Sequence, residues 1–287
     1  MMWPLLLAQA SVVILGTGTP NPDPERSGPG VAVVVNGTAY VVDAGAGIMR
    51  RAAAAAARHQ LPGLAAQAIG TVLLTHLHSD HTIGLADVIH TGWVLEREEP
   101  LHLFGPPGTV AMAEHLTEAY RADIENRTTG LQPHTTNGWR VAATEITPGV
   151  VLRDSNVTIT AFAVPHDGWG VSYGYRFEGA GRVIVISGDT RPTEAVVSAC
   201  NGCDVLVHEV YSTTGFATRP PAWQRYHADA HTSTAELADI ARRARPKLLV
   251  LYHQLYWGTS DDDLVRELRA AGYQGAVVSS ADLMQFP

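Results

Sequence analysis

The sequence predicts a single-domain α/β fold. Short β-branched runs alternate with helix-patterned segments from one end of the chain to the other. Side chains able to ligate a metal sit just beyond several of these apolar runs, where an α/β sheet exposes its carboxyl-terminal edge. No stretch rich in Pro, Gly or Ser is long enough to be a linker, and no internal repeat is present.

Taken in order, a strand is expected at 11–15, then a turn-rich loop over 16–30, where Gly, Pro and Asn are dense. Strands at 31–35 and 39–42 lead into a helix at 48–59. Its alanine run, 52–57, suits close packing on a sheet, because Ala has the best helix propensity and little bulk. A strand at 71–74 precedes a helix at 82–96, and a strand at 101–104 precedes a helix at 109–122. Strands at 157–164, 172–177 and 183–186 lead to a helix at 193–199. The pattern closes with a strand at 204–207, a helix at 234–244, a strand at 248–251, a helix at 261–271 and a strand at 276–278. The domain therefore spans 11–287.

Residues 1–10 end in a small-x-small pattern, Ala8 and Ala10, like the tail of a secretory signal peptide, but they lack a basic n-region and have a short apolar stretch. A signal remnant would place the protein in the periplasm or outside the cell. A disordered terminus would leave it cytoplasmic. No later run reaches the ~18–20 apolar residues of a membrane span, so no membrane partner is expected.

Composition is that of a soluble globular enzyme, with 46% hydrophobic and 17% charged residues. The formal charge of −8 and the absence of any Lys/Arg run argue against long nucleic acid as a partner. A monomer and a homodimer are both open. Cys200 and Cys203 form a lone Cys-x-x-Cys, open to a redox pair, half a zinc site, a disulfide in an exported protein, or two small residues where a helix turns into a strand. With only two cysteines, a four-cysteine zinc site within one chain is excluded.

The informative stretch is Thr75-His76-Leu77-His78-Ser79-Asp80-His81, which directly follows an apolar strand. Three imidazoles and a carboxylate in six residues are nitrogen and oxygen donors of the kind that suit zinc. On a tight loop leaving a buried strand, alternate residues face different pockets, so one turn supplies ligands to two metals. His166, Asp189 and His253 each follow a later apolar strand, in Val164-Pro165-His166, Ser187-Gly188-Asp189-Thr190 and Leu251-Tyr252-His253.

This pattern resembles the metallo-β-lactamase superfamily, whose hallmark is His-x-His-x-Asp-His after a strand, and the resemblance covers nearly the whole chain. It implies an αββα sandwich and two zinc ions per chain, for which manganese or iron are possible substitutes. By the same resemblance, His76, His78 and His166 hold one ion, Asp80, His81 and His253 hold the other, and Asp189 bridges them. In the resembling families an acidic bridge marks hydrolases of phosphate and sulfate esters, thioesters and lactones, whereas true metallo-β-lactamases carry Cys or Ser there.

The strings Leu15-Gly16-Thr17-Gly18-Thr19-Pro20, Gly188-Asp189-Thr190-Arg191-Pro192, His208-Glu209-Val210-Tyr211 and His231-Thr232-Ser233 resemble the ribonuclease Z branch. The loop from Gly16 to Gly30 is more similar to that branch's arylsulfatase-type relatives. Only 22 residues separate His166 from Asp189, too few for the long Gly/Pro-rich arm with which bacterial-type ribonuclease Z grips tRNA.

The expected activity is thus hydrolysis of small sulfate or phosphate esters, arylsulfatase-like or phosphodiesterase-like, by a metal-bridging hydroxide that Asp80 orients. A nucleotide or RNA phosphodiesterase of ribonuclease Z type is the alternative, then a lactonase or β-lactamase. A non-catalytic zinc module is disfavoured because the donor set lacks Cys and leaves room for water. His231 and Glu209 match positions that the ribonuclease Z branch uses beside its metals. Glu209 is expected to raise the pKa of His231 and keep it a proton donor; otherwise His231 caps the helix near Thr232 and Glu209 holds a loop. Trp169, Tyr211, Tyr256 and Trp257 are candidates for the pocket wall, with core packing as the alternative.

Overall fold

Period-two alternation along each apolar run sorts its side chains onto two faces, and here both faces are buried. In the computed structural model, which describes residues 9–166, 168 and 170–287, the runs form two seven-stranded sheets packed face to face. The first contains β1 (Ala10–Gly16), β2 (Gly30–Val35), β3 (Thr38–Val42), β4 (Thr71–Leu73), β5 (Leu101–Gly105) and β6 (Val141–Glu145), with β14 (Gln285–Phe286) beside β1. The second contains β7 (Gly149–Arg153), β8 (Thr158–Val164), β9 (Ser172–Gly179), β10 (Arg182–Ile186), β11 (Val205–Tyr211), β12 (Leu248–Leu255) and β13 (Val277–Ser279) in spatial order 13-12-11-10-9-8-7. Each sheet is mixed: β3 to β6 pair in parallel, as do β10 to β13, and the other pairings are antiparallel.

Three apolar layers follow from the alternation. Val12, Ile14, Val31, Val33, Val205, Val207, Val250 and Tyr252 fill the space between the sheets. Their sequence neighbours turn outward. Val13, Leu15, Ala32 and Val34 meet α1 (Ile48–His59) and α3 (Leu85–Val94), while Val185, Leu206, Leu249 and Leu251 meet α6 (Glu194–Cys200), α9 (Thr234–Ala244) and α10 (Asp261–Ala270). The result is the expected αββα sandwich as a single α/β domain. In α1, Ala52 and Ala55 are fully buried, so small side chains let this helix lie close to β1, as the alanine run implies.

The differences from expectation have local causes. Residues 82–96 do not form one helix: a single turn, α2 (Ser79–Thr82), is separated from α3 at Gly84. A Cβ on Gly84 would lie 2.2 Å from the Gly45 carbonyl oxygen, so only glycine lets the two loops touch there. Helix α4 (Thr109–Ala119) stops before 122 and α5 (Arg121–Thr129) follows it. Strands β6 and β7 were not expected, because they are the exposed sheet edges and carry no apolar alternation. Cys200 and Cys203 form a disulfide at the end of α6. The signal-or-terminus reading of residues 1–10 falls mostly on residues 1–8, outside the described residues; Ala10 already belongs to β1. No helix among the described residues is long and apolar enough to cross a membrane.

Candidate active site

The parallel strands end on one edge, and the ligand-type side chains gather there. The loop after β4 supplies His76 and His78, and α2 supplies Asp80 and His81. This loop is held by its backbone: Ala44 N–H donates to the His81 carbonyl at 2.8 Å, and Gly84 N–H donates to the Ala44 carbonyl at 2.8 Å. His166 follows β8 and Asp189 follows β10. Gly188 has φ +62°, and a Cβ on it would lie 2.7 Å from the Tyr173 carbonyl oxygen; that left-handed residue aims Asp189 inward.

His253 arrives by a different device. Glu209 pairs with Tyr252 but Val210 pairs with Gln254, so His253 is the extra residue of a β-bulge in β12. Its φ of +48° is a backbone strain of roughly 1–3 kcal/mol that the surrounding sheet must hold. In return the imidazole leaves the strand's alternation and enters the site.

There the atoms converge. His76 Nε2 lies 2.8 Å and His166 Nε2 3.1 Å from His78 Nδ1. His253 Nε2 lies 3.3 Å from Asp80 Oδ2 and 3.5 Å from Asp189 Oδ2. His81 Nε2 lies 3.6 Å from Asp80 Oδ2 and 3.4 Å from Asp189 Oδ2. His76, His78 and His166 thus form one compact donor set and Asp80, His81 and His253 a second. Asp189 groups with His76 and His81 and also with His166 and His231.

The ring orientations are fixed from behind. His81 Nδ1–H donates to Asp43 Oδ2 at 2.8 Å and His166 Nδ1–H donates to the Ala230 carbonyl at 2.7 Å, so in the neutral ring each leaves Nε2 as the lone pair facing the centre. Asp43, at the end of β3, also accepts from Thr75 N–H at 2.8 Å and from the Thr75 hydroxyl. The sequence analysis missed Asp43; its signal was a carboxylate directly after an apolar strand and before Ala44-Gly45.

Burial, with the charge of neighbouring imidazoles, pushes His76, His78 and His166 below the usual histidine range, toward the neutral form a metal ligand needs. Burial acts the same way on His81 and His253, but the Asp189 carboxylate, aided by Asp43 and Asp80, outweighs it and pulls both above that range. Asp189 resists its own burial because His253 and His81 hold its carboxyl well below the usual carboxylate value. The donor chemistry and two buried atoms without hydrogen-bond partners, His81 Nε2 and Asp189 Oδ1, fit a divalent metal site.

Glu209 and His231 do meet, with Glu209 Oε2 3.4 Å from His231 Nδ1. The expected consequence does not follow. Burial drives His231 down to about 4, and burial beside Asp189 drives Glu209 well above the usual range, so the pair is neutral. Glu209 Oε1 also holds loops, accepting from Thr232 N–H at 2.8 Å. His231 does not cap α9; Ser233 does, in a capping box with Glu236.

A cavity of about 710 Å³ opens over these residues, lined by His78, Asp80, Asp189, His231 and His253 and, among the aromatic candidates, by Trp257. Tyr211 is buried beneath it, stacked on Phe216, and Tyr256 turns away to donate its hydroxyl to Asp261 at 2.6 Å. Trp169 lies outside the described residues. The rest of the wall comes from α8 (Pro221–Ala230), a helix the sequence analysis did not identify, with Pro20 and Asn21 of the loop after β1, Arg219 and Leu255.

Buried histidines and carboxylates in two shared sets, at the strand-end edge of an αββα sandwich, define a metal-dependent hydrolase of ester bonds. The profile of the Beta-lactamase superfamily domain matches residues 38–254. A ribonuclease Z of Mycolicibacterium gilvum (strain PYR-GCK) is 36% identical over 257 residues, which is 88% of this chain and 87% of that one. A ribonuclease Z of Mycobacterium bovis (strain BCG / Pasteur 1173P2) is 34% identical over 276 residues, 95% of this chain and 96% of that one. Among solved structures, the fold is shared with the metallo-β-lactamase fold protein YhfI of Bacillus subtilis (TM-score 0.72, 17% identity, covering 96% of this chain and 98% of that one). It is shared too with human tRNase Z, short form (TM-score 0.69, 22% identity, covering 96% of this chain and 98% of that one). The chain belongs to the metallo-β-lactamase superfamily, in its ribonuclease Z branch.

These relatives overturn two expectations. The arylsulfatase-like reading, with a small sulfate or phosphate ester as substrate, gives way to the ribonuclease Z alternative, and long nucleic acid is no longer an unlikely partner. Two arguments had pointed the wrong way. The absent tRNA-gripping arm does not separate this chain from proteins named ribonuclease Z, because the Mycobacterium bovis protein matches it end to end at similar length. The whole-chain charge of −8 is a sum over a surface that the substrate does not touch evenly.

Proposed function

We propose that this protein is a ribonuclease Z-type phosphodiesterase acting on RNA, with tRNA precursors as its substrate class. His76, His78 and His166 would hold one zinc ion and Asp80, His81 and His253 a second, with Asp189 shared. Bound there, the cations supply Lewis acidity toward a phosphoryl oxygen and lower the pKa of water.

The observation that carries this reading is the placement of Asp189. Its Oδ2 reaches both His81 and His253 within 3.5 Å, while its carboxylate also groups with His76 and His166. An ionised carboxylate common to two imidazole sets suits paired divalent cations, and the ribonuclease Z relatives direct the choice of ester. Around it, Asp43 and the Ala230 carbonyl hold the proton of His81 and His166 on Nδ1. A protonated Glu209 facing His231 Nδ1 would keep the proton of neutral His231 on Nε2, where it would serve as a hydrogen-bond donor to a substrate oxygen and not as a general acid.

The test is metal analysis together with cleavage assays on one preparation. About two zinc equivalents per chain and cleavage of a tRNA precursor are expected, with p-nitrophenyl sulfate turned over far more slowly. An RNA left intact by the zinc-loaded protein, while p-nitrophenyl sulfate or nitrocefin is hydrolysed, would overturn the reading.

A further inference from the structure

Helix α8 covers the site with one face, and that face is aromatic. Trp223, Tyr226, His227 and Ala230 follow one another at spacings of three, one and three, the stripe of an α-helix that meets a partner. Burial rises along it, from Trp223, 49% exposed, to His227 at 7% and Ala230 at 0%. The helix end is tied to the metal ligands, because the Ala230 carbonyl accepts from His166. Its beginning is the cavity mouth.

The flat rings form a series. Trp223 stacks on His227 with centroids 5.6 Å apart and planes 22° from parallel. His227 lies 5.6 Å from His231 at 38°, and His231 lies 5.8 Å from His253 at 19°. Trp257 closes the other side of the cavity, 4.5 Å from His227. A tryptophan left half exposed at the end of such a series keeps a large apolar face in water, which is costly unless something covers it.

Arg219 stands beside these rings, its guanidinium carbon 5.9 Å from the Trp223 ring and 5.6 Å from the Trp257 ring. Among the described residues Arg219 forms no ion pair, and its Nε is buried without a hydrogen-bond partner. An arginine held against aromatic faces, with a donor uncommitted and no acid among the described residues to neutralise it, is arranged for an anion that arrives together with a flat apolar group.

A nucleotide carries both. Resting on the phosphodiesterase reading above, we propose that this wall is a nucleobase-stacking subsite: Trp223, backed by His227 and faced by Trp257, receives the base of a nucleotide flanking the scissile phosphate, and Arg219 contacts a neighbouring phosphate oxygen. Stacking on an indole tolerates any base, since every base has a π-face, so the subsite orients the chain without imposing sequence.

The experiment compares an intact RNA substrate with two otherwise identical RNAs, abasic at the nucleotide on one or the other side of the cleaved bond. Each is assayed with zinc-loaded wild type, Trp223→Ala and Trp223→Phe. Wild type should lose about tenfold or more in kcat/KM at one of the two abasic positions, the scale of one base-aromatic stack. In Trp223→Ala the ratio of intact to abasic should fall close to one, because the partner of the base is gone. Trp223→Phe, which keeps a ring, should retain most of the ratio. Equal cleavage of all three RNAs by wild type would overturn the subsite and leave the phosphodiesterase reading standing. An unchanged ratio in Trp223→Ala would also overturn it. No cleavage of any RNA by wild type would overturn the phosphodiesterase reading itself, and the subsite with it.

Discussion

Asp43 never touches the proposed metals, yet its removal should damage both stability and metal affinity, and two substitutions separate the effects. Asp43 is 1% exposed and serves three donors: Thr75 N–H at 2.8 Å, the Thr75 hydroxyl at 2.9 Å and His81 Nδ1–H at 2.8 Å. In Asp43→Ala the Thr75 amide and the His81 ring lose their acceptor in a fully buried place. Two buried unsatisfied donors at ~1–3 kcal/mol each give a loss of about 2–6 kcal/mol. Asp43→Asn keeps the volume and one acceptor oxygen, so if that oxygen stays on Thr75 most of this loss is avoided. Its NH2 group then faces His81 Nδ1, which must become the acceptor. The ring proton moves to Nε2, the atom that points at the centre, and His81 ceases to be a ligand in that tautomer. Zinc affinity should therefore fall by about 10- to 100-fold or more in Asp43→Asn, with stability of the EDTA-treated protein nearly retained. The measurements are denaturant unfolding of the metal-free protein and zinc competition against a chromophoric chelator. An Asp43→Asn protein that binds zinc as tightly as wild type would refute the argument that this carboxylate sets the His81 tautomer.

Three further outcomes are expected. Asp189→Ala should reduce bound zinc from about two equivalents to one or fewer and abolish RNA cleavage, as read by elemental analysis and a gel assay. Gly84→Ala should cost about 3 kcal/mol and lower metal content, because the added Cβ meets the backbone oxygen of Gly45 at 2.2 Å and neither loop can yield without moving His81; thermal melting checks this. Glu267 accepts from Ser212 Oγ, Thr213 N–H and Thr234 Oγ1 at 2.8, 2.8 and 2.6 Å, and these bonds outweigh its burial to depress its pKa. Its carboxylate thus stabilises the fold above the unfolded value of about 4.5 and loses that contribution as pH falls through the lower folded value, so the stability gap between wild type and Glu267→Gln should be full at pH 7 and close on acidification.

What the sequence made legible depended on how locally each feature is encoded. His76, His78, Asp80 and His81 sit on one loop, so their chemistry could be read from spacing, and the strands before them showed as β-branched runs because both sheet faces are buried. His253 was found by its neighbours, but the strand was expected to stop at 251. It continues to Leu255 through a bulge that exists only because β11 lies alongside, and no local pattern announces that. Strand β11 was likewise expected to end at 207, since His208 and Glu209 look like surface residues until the site that satisfies them is assembled. Helix α8 begins at a proline after a proline, without a Ser, Thr, Asp or Asn cap, so its N1 proline is the one start signal and the segment was left unassigned. That omission is connected to the error over substrate. The carboxylates Asp261, Asp262, Asp263 and Glu267 on α10 weigh in the net charge of −8, yet none of them lines the cavity, while α8 and the residues just before it put Trp223 and Arg219 at its mouth. A substrate responds to the field and surface where it docks, not to the total, and the element that sets both was among those the sequence did not reveal.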